Sequence, residues 1–281
     1  MILFKGAADF GKYLEIQKKK QLSVGFVPTM GALHQGHLSL LQASKKDNHI
    51  TVCSVFINPT QFNNADDFNR YPVTIEKDIQ LLMANGCDAV FLPPKEEIYP
   101  SNYIPRRYEL GGLETILEGH YRPGHFQGVC QVVDRLLQIV GPDKLYVGQK
   151  DYQQCKVISK LIEITDRQSA VDLVVVPTVR EVDGLAMSSR NLRLSDEQRR
   201  LASAIFKALL FTRTNLLRKP IAELKNEARA FLEGKGFIVD YFEIAVASTL
   251  TPSENNDDLV IGLVAAYIGS VRLIDNLPLN E

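Results

Sequence analysis

The sequence predicts an α/β protein in which a doubly wound parallel sheet is followed by a smaller α+β domain. The first observation is that short apolar runs alternate with helical patterns over the first 177 residues. The second is that these runs are continuous and rich in β-branched residues, as in Ile50–Ile57, which is typical of strands covered on both faces. The third is that the pattern changes after Pro177 to two helices followed by three strands. Alternation of this length predicts parallel strands joined by right-handed crossovers.

The elements of the larger domain follow from apolar runs and from periodicity. The predicted strands are the runs Gly25–Pro28, Ile50–Ile57, Asp88–Leu92, Lys144–Val147 and Val171–Val176. Helical spacing of apolar residues predicts one helix from Gly36 and others over Val73–Asn85, Phe126–Val140 and Tyr152–Ile164. Tyr108–Leu110 fits a further short strand within the otherwise irregular residues 95–124.

Residues 178–281 are predicted to form the smaller domain, after a first domain of residues 1–177. Ser195 and Gln198 have the spacing of a capping box, which predicts a long helix from Ser195 to Leu217. A second helix is predicted from Pro220 to Glu233. Three strands with hairpin-like spacing follow at Val239–Ala247, Leu259–Ile268 and Val271–Ile274.

The bulk composition is that of an ordinary globular protein. Hydrophobic residues make up 45% of the chain and charged residues 23%, and the formal net charge is −1. This balance argues against a general surface for nucleic acids or anionic membranes. The four cysteines are scattered without a C-x-x-C pair, which suits reduced thiols in a cytosolic protein. No apolar stretch is long enough to span a bilayer, so we expect a soluble, cytoplasmic protein with no nucleic-acid or membrane partner.

The stretch from Val24 to His37 contains the first candidate for a binding site. A strand, a loop of small residues and a helix follow one another here, which places His34, Gly36 and His37 at the start of the helix. The first N–H groups of a helix lack partners and carry the positive end of its dipole, so they favour an anion. Gly36 leaves room for a phosphate, and both histidines can donate hydrogen bonds to it. Taken alone, the tetrapeptide is better explained by two solvated histidines, and a metal-binding pair lacks further ligands nearby.

Three polar clusters each follow a predicted strand directly. They are Pro28–His37, Asn58–Phe62 and Gly148–Gln154. Ligands in an open parallel sheet bind beyond the carboxyl ends of the strands, so we expect the three clusters to share one rim.

The residue types in these clusters suit a nucleotide and a small hydroxy acid. Gly148 admits a phosphate or a sugar, and Lys150 supplies a mobile positive charge. Asp151 either caps the next helix or accepts a hydrogen bond from a ribose hydroxyl. Gln61 and Gln154 either hold hydroxyls and a carboxylate without transferring protons or are solvated loop residues.

A fourth cluster, Met187–Asn191, lies just after the domain boundary. Its hydroxyl groups and Arg190 suit the binding of a polyphosphate leaving group. The chain has no G-x-S-x-G elbow, no P-loop and no G-x-G-x-x-G fingerprint, and no candidate nucleophile stands out. Hydrogen-bonding and positive groups without a nucleophile fit phosphoryl or adenylyl transfer, in which positioning and charge stabilisation supply most of the catalysis.

Five motifs, in this order and spacing, resemble those of the pantoate–β-alanine ligase (pantothenate synthetase) family. They are V-P-T-M-G-A-L-H-x-G-H, F-I-N-P-T-Q-F, R-P-G-H-F, G-x-K-D-Y-Q-Q and G-L-A-M-S-S-R-N. The resemblance covers the whole chain and implies a HIGH-type nucleotidyltransferase with a Rossmann-like N-terminal domain, a smaller C-terminal lid and a homodimeric assembly. It also implies the reaction: pantoate and ATP, with Mg²⁺, form pantoyl adenylate and pyrophosphate, and β-alanine then displaces AMP to give pantothenate.

The resemblance further implies roles for individual residues. His37, His34, Lys150 and Arg190 are the expected catalytic residues. Gln61 is the expected contact to pantoate and β-alanine, and Gln154 is a second contact to pantoate. The expected ATP-binding residues are Met30, Gly31, Ala32, Leu33, His34, Gln35, Gly36, His37, Gly148, Gln149, Lys150, Asp151, Val179, Met187, Ser188, Ser189 and Arg190. Gln149 stands where the family usually has glutamate, and we expect the backbone at this position to matter more than the side chain.

Three alternative functions fit the residues less well. A HIGH-type adenylyltransferase for a phosphate-bearing acceptor would need extra Lys or Arg where this chain has Gln61 and Gln154. A class I aminoacyl-tRNA synthetase is disfavoured by the size of the chain and by the lack of a basic RNA-binding region. A non-catalytic nucleotide-binding regulator with a decayed site would not retain all four expected catalytic residues.

Overall fold

The larger unit is built on six parallel strands, and the computed structural model describes residues 1–254 and 258–280 of the chain. This unit comprises Met1–Gln149 and Gln153–Pro177. Its strands are β1 (Ile2–Phe4), β2 (Val24–Thr29), β3 (Ile50–Val55), β4 (Ala89–Phe91), β5 (Lys144–Gly148) and β6 (Asp172–Val176). They lie in the order β1-β4-β3-β2-β5-β6 with parallel pairing throughout, which confirms the predicted Rossmann-like sheet.

Helices cover both faces of this sheet. They are α1 (Ala7–Lys19), α2 (Gln35–Asp47), α3 (Ala65–Asn69), α4 (Ile75–Ala84), α5 (Lys95–Ile98), α6 (Glu118–Tyr121), α7 (His125–Val140) and α8 (Tyr152–Ile164). Val52 of β3 packs in a buried cluster with Phe10 of α1 and Val133 of α7. The next residue, Cys53, packs in a separate cluster with Leu41 of α2. Successive strand residues point to opposite faces, so each face has its own core.

The strand order reverses between β2 and β5. β2 continues to β3 and β4 on one side, whereas β5 and β6 lie on the other. Pairing between β2 and β5 joins only Gly25 with Lys144 and Phe26 with Leu145. It ends before Pro28, which has no N–H to donate. The carboxyl ends of β2 and β5 therefore form a topological switch point, where open parallel sheets bind ligands.

Helix α7 packs closely against the segment that follows β3. That segment contains a short 3₁₀ helix, Pro59–Gln61. A Cβ atom on Gly128 of α7 would lie 2.2 Å from the carbonyl oxygen of Thr60 and 2.5 Å from its carbonyl carbon. Because both are main-chain atoms, only glycine permits this approach.

The smaller unit contains Lys150–Tyr152 and the chain from Thr178 onwards. Its antiparallel sheet consists of β7 (Ile238–Val246), β8 (Val260–Ile268) and β9 (Val271–Pro278), in that order. Its helices are α9 (Asp196–Ala202), α10 (Ala204–Asn215) and α11 (Ile221–Glu233). The predicted capping box is present, since Ser195 Oγ accepts from Gln198 N and Gln198 Oε1 accepts from Ser195 N. The elements are those of the predicted small α+β domain.

Two local predictions are wrong, and five strands or α-helices of the larger unit are absent from the predictions. The long helix expected from Ser195 to Leu217 is divided into α9 and α10, because Ser203 adopts a ψ of −11° between them. No strand forms at Tyr108–Leu110, because the Gln127 amide bonds to both main-chain groups of Tyr108, at 3.0 and 2.9 Å. The missing elements are β1, α1, α3, α5 and α6: α1 buries only two side chains, and each of the others has at most five residues. Within the described ranges, no helix combines the length and apolar character needed to cross a membrane.

Gly128→Ala is expected to lower the free energy of unfolding by about 1–3 kcal/mol, because the new methyl group would collide with the Thr60 main chain. The matched control is Gly11→Ala in α1, where a Cβ atom meets nothing within 4 Å. The better helix propensity of alanine should leave the control unchanged or stabilise it by up to about 1 kcal/mol. Chemical denaturation measures both variants, and equal stabilities would contradict the close contact between α7 and residues 59–61.

Candidate active site

A buried carboxylate holds the loop that joins β2 to α2. Asp78 of α4 is 1% exposed. Its oxygens accept hydrogen bonds from Ala32 N at 2.9 Å and from Leu33 N at 2.8 Å. Thr74 Oγ1 donates to the same carboxylate at 3.1 Å. Gly31 and Ala32 both have positive φ, of 81° and 49°; glycine adopts this conformation freely, whereas Ala32 is strained and is stabilised by the bond from its N–H to Asp78.

Sequence reasoning missed Asp78, although α4 contains a signal for it. Asp78 and Leu82 lie four residues apart and are both buried, so a carboxylate occupies the apolar face of an amphipathic helix. Buried carboxylates need hydrogen-bond donors, and the N–H groups of an irregular loop can supply them.

The two histidines of the loop cap α2, and their contacts fix their tautomers. His34 is the N-cap residue, and its Nδ1 accepts from Gly36 N at 3.1 Å. His37 Nδ1 accepts from His34 N at 3.3 Å. An imidazole nitrogen that accepts a hydrogen bond carries no proton, so the proton of each neutral ring is on Nε2. The rings lie side by side, with centroids 4.1 Å apart, and together they provide two N–H donors at the start of a helix.

The cluster that follows β3 contacts the loop directly. Gln61 Nε2 donates to Met30 Sδ at 2.7 Å. Its Oε1 accepts from Asn58 Nδ2 at 3.3 Å. Asn58 is 1% exposed, and it also donates to Gly128 O and accepts from the Tyr99 hydroxyl at 2.9 Å. Burial raises the pKa of Tyr99 to about 12, so this hydroxyl keeps its proton and acts as a donor. Asn58 therefore orients the Gln61 amide.

The R-P-G-H-F segment holds the main chain of Gln61, a role that was not predicted. His125 Nδ1 lies 2.7 Å from Gln61 O. Because a carbonyl oxygen only accepts, His125 has its proton on Nδ1, the opposite tautomer to the two loop histidines. Its Nε2 accepts from Arg122, which also forms an ion pair with Glu118 at 3.4 Å. A histidine at the start of a buried helix is the signal that could have indicated this contact.

The cluster that follows β5 divides between the two units. Gly148 and Gln149 belong to the larger unit, whereas Lys150 and Asp151 belong to the smaller one, where they form an ion pair at 3.6 Å. Gln154 is half-buried in the first turn of α8.

The neighbouring glutamine has a structural role. Gln153 is 3% exposed, and its amide accepts from Glu118 N and donates to Leu113 O and Ile116 O. It holds the segment that carries Glu118.

In the smaller unit, Val179 lies beside the cluster at Met187–Arg190. Val179 O accepts from Met187 N at 3.0 Å, and a bridge joins Arg180 to Ala186. Ser188 Oγ accepts from Arg190 N at 3.3 Å and caps the 3₁₀ helix Ser189–Arg193. The structure thus brings together these two parts of the predicted ATP-binding set.

A cavity of about 170 Å³ adjoins the loop on the side of Thr74 and Asp78. Its lining is mainly apolar and includes Val55, Phe56 and Leu92, but none of the polar groups of His34, His37 or Gln61. In the described part of the chain, no group of three or more His, Cys, Asp or Glu side chains could hold a metal ion.

The chain is similar to proteins of a single family over its whole length. A family model described as pantoate-beta-alanine ligase matches residues 3–278. A pantothenate synthetase of Marinomonas sp. (strain MWYL1) is 45% identical over 99% of both chains, and one of Cytophaga hutchinsonii is 43% identical over 99% of both. A crystal structure of pantothenate synthetase from Thermus thermophilus superimposes with a TM-score of 0.94 at 40% identity, covering all of both chains. The pantoate-beta-alanine ligase of Francisella tularensis, complexed with beta-gamma ATP and beta-alanine, gives a TM-score of 0.81 at 36% identity over 99% of this chain and 98% of that one.

Asp78→Asn is expected to lower the free energy of unfolding by about 1–3 kcal/mol, because an amide NH₂ would face the loop N–H groups. The amide protons of Ala32 and Leu33 should then exchange faster with solvent. The matched control is Asp88→Asn, which weakens a similar bond from Thr51 N, 2.8 Å long, at the opposite end of β3. Hydrogen exchange measured residue by residue should show the loop opening only in Asp78→Asn, and unchanged loop protection in that variant would disprove the anchoring role.

Proposed function

The chain belongs to the pantoate–β-alanine ligase family, and we propose that it condenses (R)-pantoate with β-alanine in two ATP-dependent steps. In the first step, a carboxylate oxygen of pantoate attacks the α-phosphorus of ATP in line, which forms pantoyl adenylate and releases pyrophosphate. In the second step, the neutral amine of β-alanine attacks the acyl carbon, AMP leaves, and the amide of pantothenate forms with loss of the amine proton.

The observation that carries this proposal is the pair of Nε2–H donors on His34 and His37 at the start of α2. During adenylation, negative charge builds on the phosphoryl and pyrophosphate oxygens, and donors already in place stabilise it without reorganisation. We assign both histidines to this role, with His37 as the main donor to the transition state. Neither imidazole is required to transfer a proton.

The loop and the end of β5 are the proposed ATP site of the larger unit. We assign Met30–His37 and Gly148–Gln149 to it, since the first N–H groups of α2 attract phosphate. Ala32 N and Leu33 N bond to Asp78 and therefore shape the loop instead of binding the nucleotide.

Gln61 is the proposed contact to pantoate and to β-alanine, and Gln154 is the proposed second contact to pantoate. An amide can bind a hydroxyl and a carboxylate with its two ends and does not exchange protons with them. Asn58 fixes the orientation of the Gln61 amide, so its donor and acceptor are directed before the substrate arrives.

Residues 178–281 are proposed to act as the lid over a nucleotide- and pantoate-binding domain of residues 1–177. We assign Lys150 and Arg190 to the charge of the phosphates, Asp151, Met187, Ser188 and Ser189 to further ATP contacts, and the backbone of Val179 to the adenine region. Acyl adenylates hydrolyse readily, so exclusion of water by the lid would protect the intermediate.

The remaining parts of the proposal concern the conditions under which the enzyme works. Mg²⁺ is proposed to bind through the ATP phosphates, which with water are its usual ligands at nucleotide sites. No residue is assigned as a base in the second step, because desolvation favours the neutral form of an amine. We further propose that the enzyme is a cytoplasmic homodimer.

His37→Asn is expected to reduce pantoate-dependent ATP–pyrophosphate exchange by about 10²-fold, the usual effect of removing one transition-state donor. Asparagine retains an acceptor near the position of Nδ1 for His34 N but lacks the distal donor, so the cap of α2 should survive. His37→Gln restores a donor near Nε2 and should recover part of the rate.

The matched control is His49→Asn, since His49 Nδ1 also accepts from a main-chain group, Ser23 N, at 3.2 Å, but is exposed. Its exchange rate should equal that of the unmodified enzyme. A near-normal rate in His37→Asn would exclude His37 as a transition-state donor.

Gln61→Ala is expected to raise the KM for pantoate by about 10-fold or more, because a polar substrate group loses its partner. The KM for ATP should change by less than about twofold, as the amide is assigned to pantoate and β-alanine and not to the nucleotide. Gln80→Ala, at an exposed position on α4, is the control. If steady-state kinetics show both KM values rising together, Gln61 does not act specifically on pantoate.

A further inference from the structure

We propose that Asn276 of β9 is a positioning residue for Lys150, and that with Asp275 and Arg180 it holds Lys150 and the segment Val179–Arg190 on one scaffold. The inference rests on the role in ATP binding proposed above for Lys150. Every contact that carries it lies within the smaller unit.

The main chain around Lys150 is held at two points by the smaller unit. Asn276 is 2% exposed, and its Nδ2 donates to Lys150 O at 2.8 Å. Two residues later, the Tyr152 hydroxyl donates to Ala247 O, directly after β7, at 2.9 Å. The Lys150 carbonyl group is attached to the same Cα atom as the Lys150 side chain. The bond to Lys150 O therefore restrains the position from which that side chain extends.

The same asparagine is joined to Arg180 by its main chain. Arg180 donates to Asn276 O at 3.0 Å. It also forms two parallel bonds to the Asp275 carboxylate, at 2.6 and 3.0 Å. The fork of a guanidinium matches a carboxylate in one plane, so this contact fixes orientation as well as distance.

Arg180 in turn fixes the turn that leads to Met187–Arg190. It donates to Gly184 O at 3.1 Å, and its guanidinium lies 4.2 Å from the centre of the Phe206 ring. Gly184 has φ +91°, and a Cβ atom there would lie 2.1 Å from that ring. The turn therefore has little freedom to shift relative to β9.

Charge interactions with Asp275 also connect Lys150 with Arg180. Asp275 is 4% exposed, and burial raises the pKa of its carboxyl, while first Arg180 and also Lys150 act in the opposite direction. Both cations are thus close enough to stabilise the same carboxylate. Lys150 also pairs with Asp151 at 3.6 Å, so two acidic side chains attract its ammonium group.

A double-mutant cycle between Asn276 and Lys150 tests the inference in the full-length enzyme. The variants are Asn276→Ala, Lys150→Ala and the combination, assayed by pantoate-dependent ATP–pyrophosphate exchange. Asn276→Ala alone should lower kcat/KM for ATP by about 10-fold, because small displacements of a positioned group reduce rates strongly. In the Lys150→Ala background the same change should have less than about a twofold effect, since the group that it positions is already absent.

The matched control is Asn280→Ala. Asn280 Nδ2 donates to Asp258 O at 2.8 Å, a bond of the same type in the same unit that involves no proposed site residue. This control should lose thermal stability but keep kcat/KM for ATP within about twofold. Asn276→Asp, which keeps the size of the side chain and replaces the donor by an acceptor, should behave as Asn276→Ala and serves if the alanine variant fails to fold.

The two possible failures are distinguishable. If Lys150→Ala lowers exchange and the effect of Asn276→Ala is unchanged in its background, the positioning inference is overturned and the proposed function stands. If Lys150→Ala leaves exchange unaltered, the ATP-binding role of Lys150 is rejected, and the inference built on it is rejected too.

Discussion

The geometry of the candidate site depends on one interaction, the pair of hydrogen bonds between the Asp78 carboxylate and the N–H groups of Ala32 and Leu33. Between β2 and α2 the chain adopts positive φ at Gly31, which glycine tolerates, and at Ala32, where an L-residue avoids this conformation and other contacts must stabilise it. Hydrogen bonds to a charged acceptor contribute roughly 1.5–3 kcal/mol each, which is enough to offset strain of this size. The turn then sets the position of Met30 beside Gln61 and of His34 at the start of α2.

Three histidines near the carboxyl ends of the strands show how a hydrogen bond to the backbone decides which ring nitrogen carries the proton. Main-chain N–H groups bind Nδ1 of His34 and His37, which leaves a proton on Nε2 of each ring. A main-chain carbonyl binds Nδ1 of His125, which requires the opposite tautomer. Histidine thereby serves as a hydrogen-bond donor in the loop, whereas His125 holds the main chain of Gln61.

Periodicity was sufficient to predict the elements that depend on local sequence. The predicted bounds of the helix at Tyr152–Ile164 are those observed, and the order of strands and helices in the larger unit is correct apart from β1, α1 and the short helices α3, α5 and α6. The failures have long-range causes. The amide of Gln127 replaces strand pairing at Tyr108, which is 19 residues away in the sequence. Asp78 bonds to Ala32 and Leu33, which precede it by 46 and 45 positions. No local sequence pattern predicts which distant N–H group a carboxylate will bind. The motifs therefore indicated which polar residues follow the strands, but not which distant side chains hold those residues in position.

The buried pair of Arg180 and Asp275 is better understood as a device for register than as a source of stability. The two side chains are 17% and 2% exposed, and removing such charges from water costs free energy that their attraction offsets only in part. What the pair adds is geometry, because Arg180 donates to Asp275 and to Asn276 O of β9 and also to Gly184 O, and shifting β9 by one residue would break the bonds to Asp275 and Asn276. Within the smaller unit, the segments assigned to the nucleotide contain Lys150 and Asp151 and residues 179–190. They are far apart in the sequence, so a specific register on a common strand is what keeps them in a constant relation.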